Sequence, residues 1–128
     1  MEQYMMYQKA IYFKDAIIAQ QVLTTDDVAI IKTLGRTVSN YNESIWNGVR
    51  QIIVYEGLIA KFSQNKELKK LLLSTQDALL AECAIKDCIW GIGLSMKDKN
   101  RFNLSKWKGQ NLLGYALMAT RKKLSMKV

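Results

Sequence analysis

The chain has 128 residues, 49% of them hydrophobic and 23% charged, which suits one globular domain and excludes a disordered, charge-rich polymer. Its net charge of +8 comes from the last quarter. Residues 1 to 96 hold ten basic and ten acidic side chains, whereas Lys97, Lys99, Arg101, Lys106, Lys108, Arg121, Lys122, Lys123 and Lys127 are opposed only by Asp98.

With no proline in the chain, helix boundaries are read from caps, glycines and polar clusters. A first helix is expected over Glu2 to Lys14, starting without a cap and carrying Tyr4, Met5, Ala10, Ile11 and Phe13 at mixed helical spacing. A second runs from Asp15 to Leu23. The hydroxyls of Thr24 and Thr25 can cap a third over Asp26 to Leu34, and Gly35 suits its C-terminal stop. After a polar loop, Ser39 to Asn42, the residues Ile45, Val49, Ile52, Ile53, Glu56, Ile59 and Phe62 keep close to a 3.6-residue repeat, so the longest helix covers Glu43 to Ser63. Asn65 can cap a short helix through Leu73. A turn at Ser74 to Asp77 precedes Ala78 to Cys83, read as extended by its length and bounding residues. Gly91 and Gly93 allow a bulge or a close backbone approach in Ile89 to Leu94. A polar loop, Ser95 to Lys106, leads to a final helix over Gly109 to Leu124. The fold class is therefore mainly α, a single-domain helical bundle with a small extended or irregular segment.

No apolar run is long enough to span a bilayer, and the N-terminus lacks the basic-then-apolar order of a signal peptide, so a soluble cytoplasmic protein is expected. Cys83 and Cys88 lie five residues apart in such a chain, which argues against a structural disulfide. The absence of histidine removes Ser-His-Asp and Cys-His catalysis and makes a four-ligand zinc site implausible. An acid or base here must be a carboxylate, Lys, Tyr or Cys, and no cofactor is implied.

The segment from Glu82 to Gly93 concentrates the unusual chemistry: Glu82, Asp87, Trp90, Gly91 and Gly93 stand at the edge of an apolar run, where a carboxylate can act as acid or base. By spacing alone, the two carboxylates fit solvated loop charges equally well, and Trp90 a core position. Gly91 and Gly93 lack the third glycine and the strand-to-helix setting of a dinucleotide fingerprint. Lys9 among apolar neighbours fits a phosphate contact or a snorkelling side chain. Trp46 and Trp107 suit packing better than stacking. The basic C-terminal quarter fits a surface for phosphates or polynucleotides, and Arg121 to Lys123 also fit cations placed at a helix end.

Four blocks in order give the chain a family likeness: Glu-Gln-Tyr-Met-Met-Tyr-Gln-Lys-Ala (Glu2 to Ala10), Lys-Phe-Ser-Gln-Asn-Lys-Glu-Leu (Lys61 to Leu68), Ile-Trp-Gly-Ile-Gly-Leu (Ile89 to Leu94) and Trp-Lys-Gly-Gln-Asn-Leu-Leu-Gly (Trp107 to Gly114). Leu34 to Arg36, Trp46 and Arg50 fall between the first two. In this the chain resembles the NADAR (YbiA-like) family. The resemblance implies a mainly α-helical domain over residues 1–128 that cleaves N-glycosidic bonds, on riboflavin-pathway intermediates in some members and on ADP-ribose attached to guanine in others. The expected partner is thus a nucleotide-like small molecule or ADP-ribosylated nucleic acid, with no membrane and an oligomeric state left open.

Carried over by position, the likeness assigns Glu82 and Asp87 as the acid/base and cation-stabilising pair, with Trp90 stacking on the base or shaping the pocket and Gly91 also at the substrate. Glu2, Gln8 and Lys9 would contact ribose or phosphate, and Asn111 would orient a phosphate with its amide and exposed backbone N–H groups. Cys83, Ala84 and Ile85 depart from the family's small, Ser and Pro residues. The family's Ser-Asn-Phe-like motif before the first helix is expected to be absent, since the sequence starts inside the next block. Two other functions fit the sequence: a non-catalytic ADP-ribose or nucleotide-binding module, and a basic helical nucleic-acid-binding protein.

Overall fold

The computed structural model describes residues 1–126, so Lys127 lies outside the described residues. Six α-helices follow in order: α1 (Glu2–Tyr12), α2 (Ala16–Val22), α3 (Val28–Arg36), α4 (Glu43–Gln64), α5 (Lys66–Ser74) and α6 (Leu112–Ser125). Two 3-10 turns, Lys99–Phe102 and Leu104–Lys106, interrupt the long connection before α6. The mainly α class is as expected from the sequence. The chain forms two compact units, residues 1–57 and residues from 58 onward.

In the first unit, α1, α2 and α3 pack on one another around Ala10, Phe13, Ala19, Val38 and Trp46. Trp46 is buried in this core and stands 6.4 Å, centroid to centroid, from the Phe13 ring. α1 ends two residues earlier than the sequence suggests. With no glycine available, Lys14 itself takes the left-handed conformation at φ 60°, and the next N–H, on Asp15, reaches back to the Ala10 carbonyl at 2.8 Å. α3 is capped by Asp27 rather than by the threonines: the Asp27 carboxylate accepts from Ala29 N and Ile30 N, while Thr25 Oγ1 accepts from Asp27 N. Gly35 does not stop α3. It lies within the helix, where any Cβ would collide with the Met6 side chain, so its function is close α1–α3 approach.

α4 begins at Glu43, as expected, with Asn42 Oδ1 accepting from Ile45 N at 3.0 Å. Its buried positions are shifted from the predicted stripe, however. Trp46, Val54 and Leu58 are buried, whereas Ile45 and Ile52 are exposed. The helix carries two adjacent apolar stripes, and periodicity does not choose between faces a residue apart. Asn65 caps α5 through Leu68 N, as predicted. In the second unit α5 packs on α6, with Leu72, Ile92, Leu94 and Leu124 buried. Arg121 Nη1 ties α6 to Thr75 Oγ1 at 2.8 Å, and Lys122 and Lys123 sit in the last turn of α6, where cations favour the dipole.

The extended reading of Ala78 to Cys83 is corrected: no strand forms among the described residues. Alanine and leucine have little β preference, and the segment is instead held by a side-chain amide described below. None of the described helices is long and apolar enough to cross a membrane.

Asp15 joins local and tertiary structure in the first unit. Its carboxylate caps α2 through Ile18 N at 3.1 Å and also accepts from Ser39 N at 2.8 Å. These hydrogen bonds, that from Ser39 first, hold its pKa below the ordinary aspartate value. The stabilising contribution is therefore fully present above the unfolded-state value and is lost as pH falls through the folded one. Urea midpoints measured as pH is lowered below the reference value of 3.8 should drop for the native chain. The Asp15→Asn variant should start lower and show a shallower acid slope, and equal slopes would remove this role from Asp15.

Candidate functional site

The segment bearing Glu82 and Asp87 is built around the start of α6. Four successive N–H groups at that end, which no turn of helix satisfies, donate to the preceding loop. Gln110 N bonds Cys88 O at 2.8 Å, Asn111 N bonds Gly91 O at 3.0 Å, Leu112 N bonds Ile89 O at 3.1 Å and Leu113 N bonds Trp90 O at 3.0 Å. The loop carbonyls thus do what a bound anion would otherwise do.

Asn111 locks this arrangement. It is fully buried, sits in the left-handed region at φ 54° and ψ 40°, and divides its amide between two partners. Oδ1 accepts from Glu82 N and Nδ2 donates to Leu80 O, both at 2.9 Å. The Asn111 amide, expected to orient a phosphate, is here hydrogen-bonded to main chain within the protein, as are the N–H groups of residues 110–113. Asn111 is a clamp that fixes the main chain at Glu82.

Glycines let the strands of this knot approach. A Cβ on Gly91 would lie 2.9 Å from both Asp87 O and Glu82 O, so the backbones of the two candidate carboxylates meet across it. A Cβ on Gly109 would collide with Gly91 O and Cys88. Gly93 has φ 72°, a conformation that suits glycine alone at little cost. Ile92 N closes the loop onto Glu82 O at 2.9 Å, and Ile92 O receives the N–H groups of Lys108 and Gly109. The structure thus brings Glu82, Asp87, Trp90, Gly91 and Asn111 into one neighbourhood.

Within it the two carboxylates differ. Both residues are half-buried. Asp87 Oδ1 accepts from Ile89 N at 3.0 Å and Trp90 N at 2.8 Å, a turn-forming pair of bonds that fixes the carboxylate. Glu82 is anchored through its backbone, by Asn111 and Ile92. Trp90 is half-buried, whereas Trp107 donates its Nε1 hydrogen to Arg101 O at 2.8 Å and packs in the loop that follows.

The other predicted contacts lie on α1, in the first unit. Glu2 and Lys9 are seven residues apart, hence on one line of the helix about 10 Å from each other, and Gln8 is turned about a third of the circumference away. All three are half-buried. The Lys9 ammonium donates to Gly35 O at 2.7 Å and stands 4.4 Å from the centre of the Tyr41 ring. Burial, and next the Arg36 charge, lower its pKa. Burial raises the pKa of Tyr41, as does Glu43, while Arg50 opposes them. The Tyr41 ring thus carries the Lys9 ammonium on its face, with Glu43 and Arg50 as charged neighbours of opposite sign. Tyr41 carries no functional signal in the sequence beyond being one aromatic residue among the polar Ser39, Asn40 and Asn42 of the loop before α4.

A profile of the NADAR domain matches residues 1–125. The chain belongs to the NADAR family. Among the relatives of this NADAR chain, N-glycosidase R617 of Acanthamoeba polyphaga mimivirus is 42% identical over 120 residues, covering 94% of this chain and 71% of the viral protein. N-glycosidase YbiA of Escherichia coli K12 is 31% identical over 120 residues, covering 94% of this chain and 68% of YbiA. Protein irg-1 of Caenorhabditis elegans is 36% identical over 125 residues, with 96% and 59% covered. The NMR structure of E. coli YbiA superposes with a TM-score of 0.77 at 31% identity, covering 98% of this chain and 66% of that one. The NADAR chain thus spans roughly two thirds of the length of these relatives. N-glycosidase names recur among them, in keeping with the hydrolase expectation.

Replacing Asn111 with Ala leaves Glu82 N and Leu80 O without their partners and forces a residue with a Cβ but no polar side chain into the left-handed region. A loss of about 3 kcal/mol is expected in urea unfolding, from two buried bonds and the groups they strand. Gly109→Ala, which sets a methyl group against main chain, should be harder to tolerate still. An Asn111→Ala midpoint within error of the native chain would dissolve the clamp.

Proposed function

We propose that this chain is an N-glycoside hydrolase acting on a ribosyl–nucleobase bond, in ADP-ribosylated guanine or a riboflavin-pathway intermediate. The observation that carries the reading is its 42% identity, across 94% of its length, to a protein named N-glycosidase. The Glu82–Asp87 loop supports it with two half-buried carboxylates whose backbones meet at Gly91.

Cleavage of a C1–N bond separates charge: the sugar gains oxocarbenium character while electrons pass to the departing base. A fixed anion beside the sugar lowers the barrier, and a second group protonates the base or activates water. Asp87, whose carboxylate is held by Ile89 N and Trp90 N, suits the fixed anion. Glu82, fastened through its main chain, suits the acid or base. Trp90 supplies an aromatic face for the base. Within the first unit, Glu2, Gln8 and Lys9 offer polar side chains suited to ribose or phosphate, Lys9 standing against the Tyr41 ring.

The test is release of free base, followed by mass spectrometry, from ADP-ribosylated guanine oligonucleotide, ADP-ribose derivatives and aminopyrimidine ribosyl phosphates. Glu82→Gln and Asp87→Asn should each lower kcat by about 100-fold or more, and Glu2→Gln should chiefly raise KM. If instead Glu2→Gln abolishes kcat while Glu82→Gln leaves it intact, the acid/base assignment moves to α1. No release by the native chain, with ADP-ribose still bound, would favour a binding module over an enzyme.

A further inference from the structure

We propose that the loop from Met96 to Lys108 is a docking surface for single-stranded nucleic acid. The proposal deepens the hydrolase reading, on which its meaning for catalysis rests, by naming a polynucleotide strand as the object held beside Glu82.

The loop departs from an ordinary surface connection in three ways. First, it exposes apolar side chains that its own fold does not use: Phe102 is 78% exposed, Met96 70% and Leu104 53%. Second, it is rigidly built. Asp98 Oδ1 accepts from Asn100 N, Arg101 Nη1 donates to Asp98 O and Trp107 Nε1 donates to Arg101 O, each at 2.8 Å. The two 3-10 turns also pack on each other. Phe102 is thus presented on a stiff support, with the Arg101 guanidinium 4.2 Å from its ring centre. Third, Lys97, Lys99, Lys106 and Lys108 are exposed, and the one acidic residue among them spends its carboxylate on the turn.

A cleft of about 320 Å³ gives the surface a direction. Met96, Phe102, Leu104 and Trp107 line it from the loop, and Ala81 and Cys83, the two neighbours of Glu82, line it from the catalytic segment. A base seated against Phe102 would lie next to the main chain that carries Glu82.

Charge and chemistry select the occupant. Four lysines and Arg101 match the regular negative charge of a phosphodiester backbone, and an exposed aromatic ring beside an arginine is the usual platform for an unstacked base. A duplex keeps its bases stacked and out of reach of such a ring, so a single strand is the better fit.

Fluorescence anisotropy with a labelled oligothymidine of about 12 nucleotides tests this directly. With four phosphate contacts, affinity should fall about 50-fold between roughly 50 and 200 mM salt. Phe102→Ala should weaken binding about tenfold at fixed salt, with an unchanged melting curve because the ring packs on little of the protein. Lys99→Ala and Lys106→Ala should each reduce the slope of log affinity against log salt by about 0.7. No binding at low salt, equal binding of a duplex, or indifference to Phe102→Ala would each overturn the proposal. The assay requires no turnover, so the two readings fail separately. Strand binding without base release sinks the hydrolase and keeps the surface; base release from mononucleotides without strand binding does the reverse.

Discussion

The second unit depends on how the first turn of α6 is satisfied. A helix that starts inside a protein must find acceptors for its leading N–H groups, and here residues 88–91 supply them with four main-chain carbonyls. Asn111 completes the arrangement by spending its side-chain amide on the main chain at Leu80 and Glu82. Everything proposed for the carboxylates follows from this: without those bonds, the segment from Leu80 to Gly93 would be a loop of small and apolar residues with no regular structure to hold it.

That solution carries a chemical consequence. A helix N-terminus is a ready anion site only while its N–H groups are unclaimed, and here those of Asn111, Leu112 and Leu113 are engaged within the protein. Side chains elsewhere offer positive charge. The first unit sets Lys9 against the Tyr41 ring, with Arg36 acting on the Lys9 charge, and the loop before α6 carries its own lysines with exposed Phe102. In the first group Lys9 is partly desolvated, and burial lowers its pKa. The other has the open, solvated character of a surface that follows a strand.

Glycines divide according to what surrounds them. Gly91 and Gly109 allow main chain to approach main chain within the knot, whereas Gly35 allows Met6 of α1 to lie against α3. Gly35 looked in sequence like a helix stop, because a glycine after a run of helix formers usually is one. The actual stop for α1 is Lys14, a residue with no special preference for the left-handed conformation. In a chain without proline, tertiary contacts decide where helices end.

Local signals were enough for the existence of the helices, the cap at Asn65 and the mainly α class, since each depends on residues within a turn or two of one another. The ordered blocks were enough for the NADAR family, because shared ancestry preserves residues whose purpose need not be visible in them. Tertiary structure alone decided which stripe of α4 is buried, what Gly35 and Asn111 do, that Ala78 to Cys83 forms no strand, and that Tyr41 belongs with Lys9. Each of those outcomes depends on partners 20 or more residues away, such as Asn111 with Glu82 at a separation of 29. Periodicity and propensity describe a segment's own preferences and hold no information about which distant donor or acceptor will meet it.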